Sequence, residues 1–157
     1  MVLSTLFDIL DGGASASPFC VIEHPGPPVP KGRPRFRVIQ PRGRRAPFAH
    51  VYTPAETKAY ETALQWRARA AMKGRDPMVG PVAIRVFAMI PIPVSWSASK
   101  RNVALHPATR PDWDNYAKSC CDAMNGIVYA DDGQIVRALV VKEYADRPGL
   151  IVEVFAL

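Results

Sequence analysis

The sequence predicts an α/β (α+β) domain: a mixed β-sheet of about four strands with two main helices, carrying a basic hairpin and a long loop. Three observations predict it. Two segments repeat apolar residues at helical spacing, four short segments are rich in β-branched and apolar residues, and clusters of Pro, Gly and Ser separate them. At 157 residues the chain suits one ordinary domain and is short for two well-filled ones. Residues 18–157 are expected to form it. Residues 1–17 begin without a basic residue, include Asp8 and Asp11, and turn small and polar, so they read as a mobile or partner-bound extension and not as a secretory signal.

Phe19 to His24 is the first strand, followed by a proline-rich loop, Gly26 to Pro34, in which too many residues lack an amide hydrogen for sheet pairing. Arg35 to Gln40 and Ala49 to Tyr52 are the arms of a hairpin turning around Arg42-Gly43-Arg44. A helix starts at Thr53-Pro54-Ala55-Glu56, with Thr53 as N-cap and Glu56 closing a capping box, and runs to about Met72 before Gly74. Its buried face is expected from Ala59, Ala63, Trp66 and Ala70, joined by Tyr60 and Leu64, which makes Trp66 a core residue. Val82 to Ile90 is apolar on both alternations apart from Arg85, the pattern of an interior strand. Pro91 to Ala108 reads as a long loop. A second helix from about Asp112 to Asn125 buries Trp113, Ala117, Cys120 and Met124 and sets Asp114, Lys118 and Asp122 on the other side. Ile135 to Tyr144 and Leu150 to Phe155 are the last strands, joined around Pro148-Gly149.

No uninterrupted apolar run approaches the ~20 residues that a bilayer span takes, so no membrane partner is expected. Cys20, Cys120 and Cys121 are odd in number, two are adjacent, and none has zinc-ligand spacing, so a reducing cytosol is the expected location. The net charge of +6 is localised. Lys31, Arg33, Arg35, Arg37, Arg42, Arg44 and Arg45 follow one another with no acid among them, which exceeds the whole positive excess and leaves the rest of the chain near neutrality. Such a patch is the footprint of a polyanion partner, most often nucleic acid. The bland alternative is a solvated basic hairpin, but the interleaved Pro, Gly and Phe give the segment a shape. Lys100 and Arg101 in the long loop, and Arg110 after it, extend the candidate DNA-binding set.

Against that basic background, Asp112, Asp114, Asp122, Asp131 and Asp132, together with Lys118, fall within 21 residues. Each has a plain structural reading. Asp112 suits an N-cap, Asp114 suits a helix's positive end or an ion pair with Lys118 one turn on, and Asp132-Gly133 suits a turn. Their conjunction with an Arg-rich hairpin points to chemistry instead. Mg²⁺ takes oxygen ligands from a few carboxylates together with substrate phosphate, and can activate water while a lysine adds a positive donor. Asp112, Asp114, Asp132 and Lys118 supply those parts.

The string Arg-Pro-Asp-Trp-Asp-Asn-Tyr-Ala-Lys (110–118), then Asp122-Ala123-Met124-Asn125-Gly126, then Asp131-Asp132-Gly133-Gln134-Ile135, resembles the RusA family of Holliday-junction resolvases. The family pattern is R/K-P-D-x-D-N-x-x-K, D-A-L-N-G and D-D-x-Q-I, with Met124 here in place of leucine. Pro25 to Arg35 and Tyr52-Thr53-Pro54 are similar to the N-terminal half of phage-type members, so the resemblance runs from about residue 19 to the C-terminus. It implies a small homodimeric endonuclease, using Mg²⁺ or Mn²⁺, that cuts a four-way DNA junction by paired symmetric incisions. It implies that Asp112, Asp114 and Asp132 are the metal-site carboxylates and Lys118 the catalytic lysine. Asp131 and His106 are secondary candidates. If phage-encoded, the protein would act in the bacterial host's cytoplasm. A relaxed flap or fork nuclease and a non-catalytic junction-binding module are the competing readings. The sheet edges and the strand Leu150 to Phe155 are the expected dimer interface.

Overall fold

The computed structural model describes residues 17–43, 46–103 and 106–157. Of the expected features, residues 1–16 of the extension and the hairpin's Arg44 and Arg45 lie outside the described residues. The elements run β1 (Cys20–Pro25), β2 (Arg35–Ile39), β3 (Phe48–Tyr52), α1 (Ala55–Met72), β4 (Val82–Pro91), α2 (Ala98–Val103), α3 (Trp113–Met124), a single 3-10 turn (Asp132–Gln134), β5 (Ile135–Ala145) and β6 (Gly149–Ala156).

Four strands form one mixed sheet in the order β1-β6-β4-β5, and β2 with β3 forms a separate two-stranded ribbon. β6 runs antiparallel to β1 and β4, while β4 and β5 are parallel, with their crossover made by α2 and α3. β4 is interior, as its apolar alternations require. So is β6, and this corrects the expectation that Leu150 to Phe155 offers interface material: Leu150, Val152, Val154 and Phe155 are buried, and the strand's backbone is paired on both sides. The outer strands of this sheet, among the described residues, are β1 and β5.

Alternation gives each strand one face toward the helices. Ile22, Ile84, Val86, Val152 and Val154 meet Tyr60, Leu64, Ala68 and Met72 of α1 and Tyr116, Cys120, Ala123 and Met124 of α3 in one core. On the opposite face a smaller cluster joins Ala83, Phe155 and Leu139, with the Arg85 guanidinium 4.7 Å from the Phe155 ring and 3.5 Å from Glu153.

Three local expectations are corrected. The helix starts at Ala55 and not after a Thr53 cap, because Pro54 keeps an extended ψ of 141° and leaves the Thr53 hydroxyl a residue too early to reach the first free amides. α1 buries Thr57, Tyr60, Leu64, Ala68 and Met72, so Trp66, 68% exposed, is not core and lies beneath the Arg69 guanidinium at 5.7 Å. α3 buries Tyr116, Ser119, Cys120, Ala123 and Met124, a stripe rotated from the expected one, and Trp113 on its first turn is exposed. The long loop also contains a short helix, α2, whose Lys100 amide donates to the Ser97 hydroxyl at 3.3 Å.

Candidate active site

α3 carries the acidic motif. Asp112 sits at its N-cap position with extended backbone, φ −70° and ψ 153°, yet its carboxylate accepts no capping hydrogen bond. Among the described residues the Asp114 carboxylate, on the first turn, accepts only a long 3.5 Å bond from Asn115 Nδ2. Among the described residues neither enters an ion pair, and no ion pair joins Asp114 to Lys118 one turn on. Asp112, Asp114 and Lys118 are all exposed. The structural readings that the sequence allowed for them, cap and helix pair, are therefore not what these side chains do.

The second acidic pair divides into two roles. Asp131 caps the 3-10 turn: its Oδ1 accepts from the Gly133 amide at 2.8 Å, and its own amide donates to Gln134 Oε1 at 2.8 Å. A Cβ at Gly133 would come within 2.8 Å of that Oδ1, so a larger residue there would push the capping carboxylate aside. Gln134 Nε2 then donates to the carbonyls of Met78 and Gly80 at 3.0 and 2.7 Å, tying the turn to the entry of β4. The Asp132 carboxylate, on an exposed residue, makes no hydrogen bond or ion pair among the described residues. Its charge is felt across the gap on α3. Cys121 is pushed up to about 11, by burial first and then by Asp122 and Asp132 against a hydrogen bond from Tyr129. Burial also raises the Tyr129 phenol, and Asp132 adds to it.

Lys31 holds the scaffold. Its ammonium lies 2.5 Å from Glu61 of α1 and 2.7 Å from Asp122 of α3, and its amide donates to the Asn115 carbonyl at 2.8 Å. Burial works against the charged ammonium, but bonds and charges from Asp122 and Glu61 outweigh it and raise its pKa. Lys31, expected to face DNA, therefore has its charge met within the chain, and the acid that occupies it, Asp122, is the one outside the expected site. The loop presses close at this point, since a Cβ on Gly32 would come within 2.6 Å of Thr57 Oγ1.

The other expected basic residues are exposed: Arg33, Arg35, Arg37, Arg42, Lys100, Arg101 and Arg110. Arg101 donates to the carbonyls of Trp96 and Val94, and Lys100 lies 4.1 Å from the Trp96 ring, so these two also shape their own loop. His106 is exposed and its carbonyl accepts from the Ala108 amide. One positioning residue has no local sequence signal: Lys142 of β5 donates to the carbonyls of Thr109 and Pro111, the residues that lead into Asp112.

Residues 25–155 match the family described as Endodeoxyribonuclease RusA, which is most of the chain. The chain belongs to the RusA endodeoxyribonuclease family. It is also similar to a Bacillus subtilis (strain 168) protein named Uncharacterized protein YqaN, with 36% identity over 131 residues, 78% of this chain and 86% of that protein. RusA membership implies an endodeoxyribonuclease of Holliday junctions. Among the described residues no helix is long and apolar enough to cross a membrane.

The donor chemistry of the RusA motif in this chain suits a hard divalent cation. Asp112, Asp114 and Asp132 offer carboxylate oxygens, and none is tied up in an ion pair or capping bond. No three acidic, histidine or cysteine side chains among the described residues converge on one point. Mg²⁺ does not require that, because it keeps several waters and is held by one or two carboxylates together with substrate phosphate.

Proposed function

We propose that this chain is a divalent-metal-dependent, structure-selective endodeoxyribonuclease that resolves four-way junctions by paired symmetric incisions as a homodimer. The supporting observation is selective: Asp131 and Asp122 are engaged by Gly133 and Lys31, whereas Asp112, Asp114, Asp132 and Lys118 are exposed, and among the described residues the three carboxylates enter no ion pair or capping bond. Mg²⁺, or Mn²⁺ in its place, held by one or two carboxylates drawn from Asp112, Asp114 and Asp132 together with substrate phosphate, would neutralise phosphodiester charge and acidify a water. Lys118 would set its ammonium against the phosphate oxygens as negative charge builds on them. Arg33, Arg35, Arg37, Arg42, Arg44, Arg45, Lys100, Arg101 and Arg110 would hold the DNA backbone through phosphate contacts, which position the duplex without reading sequence.

A single acidic cluster cuts one strand, while resolving a junction takes two equivalent incisions. An isologous dimer supplies the second site from the same sequence. Because its substrate is DNA, the reading puts this action in the cytoplasm, the host's if a phage encodes it. The test incubates pure protein with labelled four-way junction, flap, fork and linear duplex, with and without Mg²⁺. Symmetric paired cuts confined to the junction and dependent on metal are expected. Equal cutting of flaps and forks would replace the reading with a relaxed branched-DNA nuclease, and binding without cutting in Mg²⁺ or Mn²⁺ would replace it with a binding module.

A further inference from the structure

The β2–β3 ribbon has two chemically different faces. Its register pairs Phe36 with Val51 and Val38 with Ala49 on one side, and Arg35 with Tyr52, Arg37 with His50 and, at the ribbon's far end, Ile39 with Phe48 on the other. On the second side the His50 and Tyr52 rings stack with centroids 6.2 Å apart and planes 20° from parallel. On the first, Phe36 is 77% exposed, Val51 65% and Val38 59%.

Single exposed apolar residues are ordinary, but a contiguous apolar face marks a contact surface. A two-stranded ribbon is also only marginally stable in water by itself, so a partner that covers it contributes to its order. Bringing two such segments together would bring two strongly basic stretches to one place, with no acid between Lys31 and Arg45 to offset them. A polyanion that also presents flat apolar surfaces suits both faces at once. DNA at an open branch point is such a polyanion, because bases flanking the crossover of an unstacked junction lack a stacking neighbour on one side and expose a π-face.

The loop that leads into the ribbon touches the acidic motif. The Lys31 amide is bonded to the Asn115 carbonyl, next to Asp114, and β2 begins four residues later at Arg35. We propose that the Phe36, Val38 and Val51 face receives unstacked bases at the branch point, while Arg35, Arg37 and His50 on the reverse hold the backbone. This rests on the junction-cutting function proposed above and adds the element that recognises the branch. Apolar side chains that enter a base step in this way discriminate by the lower cost of unstacking bases already disturbed.

The experiment uses the full chain without divalent metal, so that no strand is cut. A four-way junction carrying 2-aminopurine at the crossover and a linear duplex of matching sequence are titrated with wild type, Phe36→Ala and Phe36→Trp, and each protein is sedimented alone. Wild type is expected to bind the junction more tightly and to change the 2-aminopurine fluorescence. Phe36→Ala is expected to lose about ten-fold in junction affinity, the scale of one base–aromatic stack, and to suppress the fluorescence change. Its duplex affinity and sedimentation should stay as in wild type, and Phe36→Trp should keep the wild-type behaviour. Phe36→Ala with undiminished junction preference, or with equal losses on both DNAs, overturns the inference and leaves the nuclease reading standing. A shift in sedimentation overturns it too, by showing that the face seats a second copy. Wild type without junction preference overturns the junction reading itself, and this inference with it.

Discussion

The Lys142 ammonium lies 2.9 Å from the carbonyl oxygen of Pro111, the residue before Asp112. It also donates to Thr109 at 2.9 Å, so a residue of the sheet grips the two carbonyls that flank Arg110 and fixes where α3 begins. An aliphatic side chain at 142 would free that entry while leaving the strand pairing of β5 in place. Lys142→Met should lower cleavage about a hundred-fold, the effect of a catalytic group displaced by an ångström. Junction affinity should be unchanged, and the Mg²⁺ concentration for half-maximal rate should rise. Lys142→Arg should recover part of the rate, since a guanidinium can also donate to two carbonyls. Cleavage rates across a metal titration, with gel shifts on the same preparations, decide it.

Asp131 and Asp132 are adjacent and should behave oppositely. Asp131→Ala removes the acceptor for the Gly133 amide and should cost about 1 kcal/mol of stability, visible in a denaturant melt. Asp132→Asn should leave the melt where it is and abolish cleavage, with junction binding equal or tighter because a negative charge near the phosphates is gone. Asp112→Asn and Asp114→Asn should match it. Cleavage retained in all three Asn variants would dismiss the site.

His24 gives the fold a titrating group away from the acids. Its ring meets Tyr60 edge-on with centroids 4.9 Å apart, and burial, then the Arg67 charge, lowers its pKa from the usual 6.5. The folded state thus binds the proton less readily than the unfolded chain. This contribution to stability is present above pH 6.5 and is lost as pH falls from there through the depressed folded value. His24→Phe keeps an aromatic partner for Tyr60 and removes the titration. As pH falls from about 7.5 to 5, the denaturant midpoint of wild type should drop by more than that of the variant. A parallel displacement of the two curves would show that His24 does not titrate in this way.

The strands were legible because their signals are local: Val82 to Ile90 is apolar on both alternations, and Pro148-Gly149 marks the turn into β6. The buried faces of the helices were harder to read, because alanines at 59, 63 and 70 weigh the same as the buried Ala68 and leave the stripe's angle open. Tyr60, Leu64 and Met72 settle it by size once the sheet is in place, and Trp66 can stay outside under Arg69. The motif acids were visible by spacing. Which of them the fold occupies was not: Asp122 is claimed by Lys31, distant in sequence, and Lys142 meets Thr109 and Pro111 only across the sheet-to-helix packing.

The basic segment should therefore divide at Lys31. Its ammonium is mostly buried between Glu61 and Asp122, so replacing it leaves two half-buried carboxylates facing each other without a cation and loosens α1 from α3. Lys31→Met should cost on the order of 1–3 kcal/mol, the range for a buried charged group that loses its partner. Because that cation is already matched inside the chain, it releases no counterion from DNA, and the slope of log affinity against log salt should stay as in wild type. Arg35 and Arg37 are exposed on the ribbon, where replacement removes no packing. Arg35→Ala with Arg37→Ala should leave the denaturant midpoint within about 0.5 kcal/mol of wild type and flatten the salt slope by about 2, roughly one unit for each phosphate that the protein no longer neutralises. Paired melts and salt titrations on a four-way junction separate the two outcomes. A flattened slope in Lys31→Met with unchanged stability would mean that the ammonium leaves Glu61 and Asp122 to meet the backbone when DNA binds.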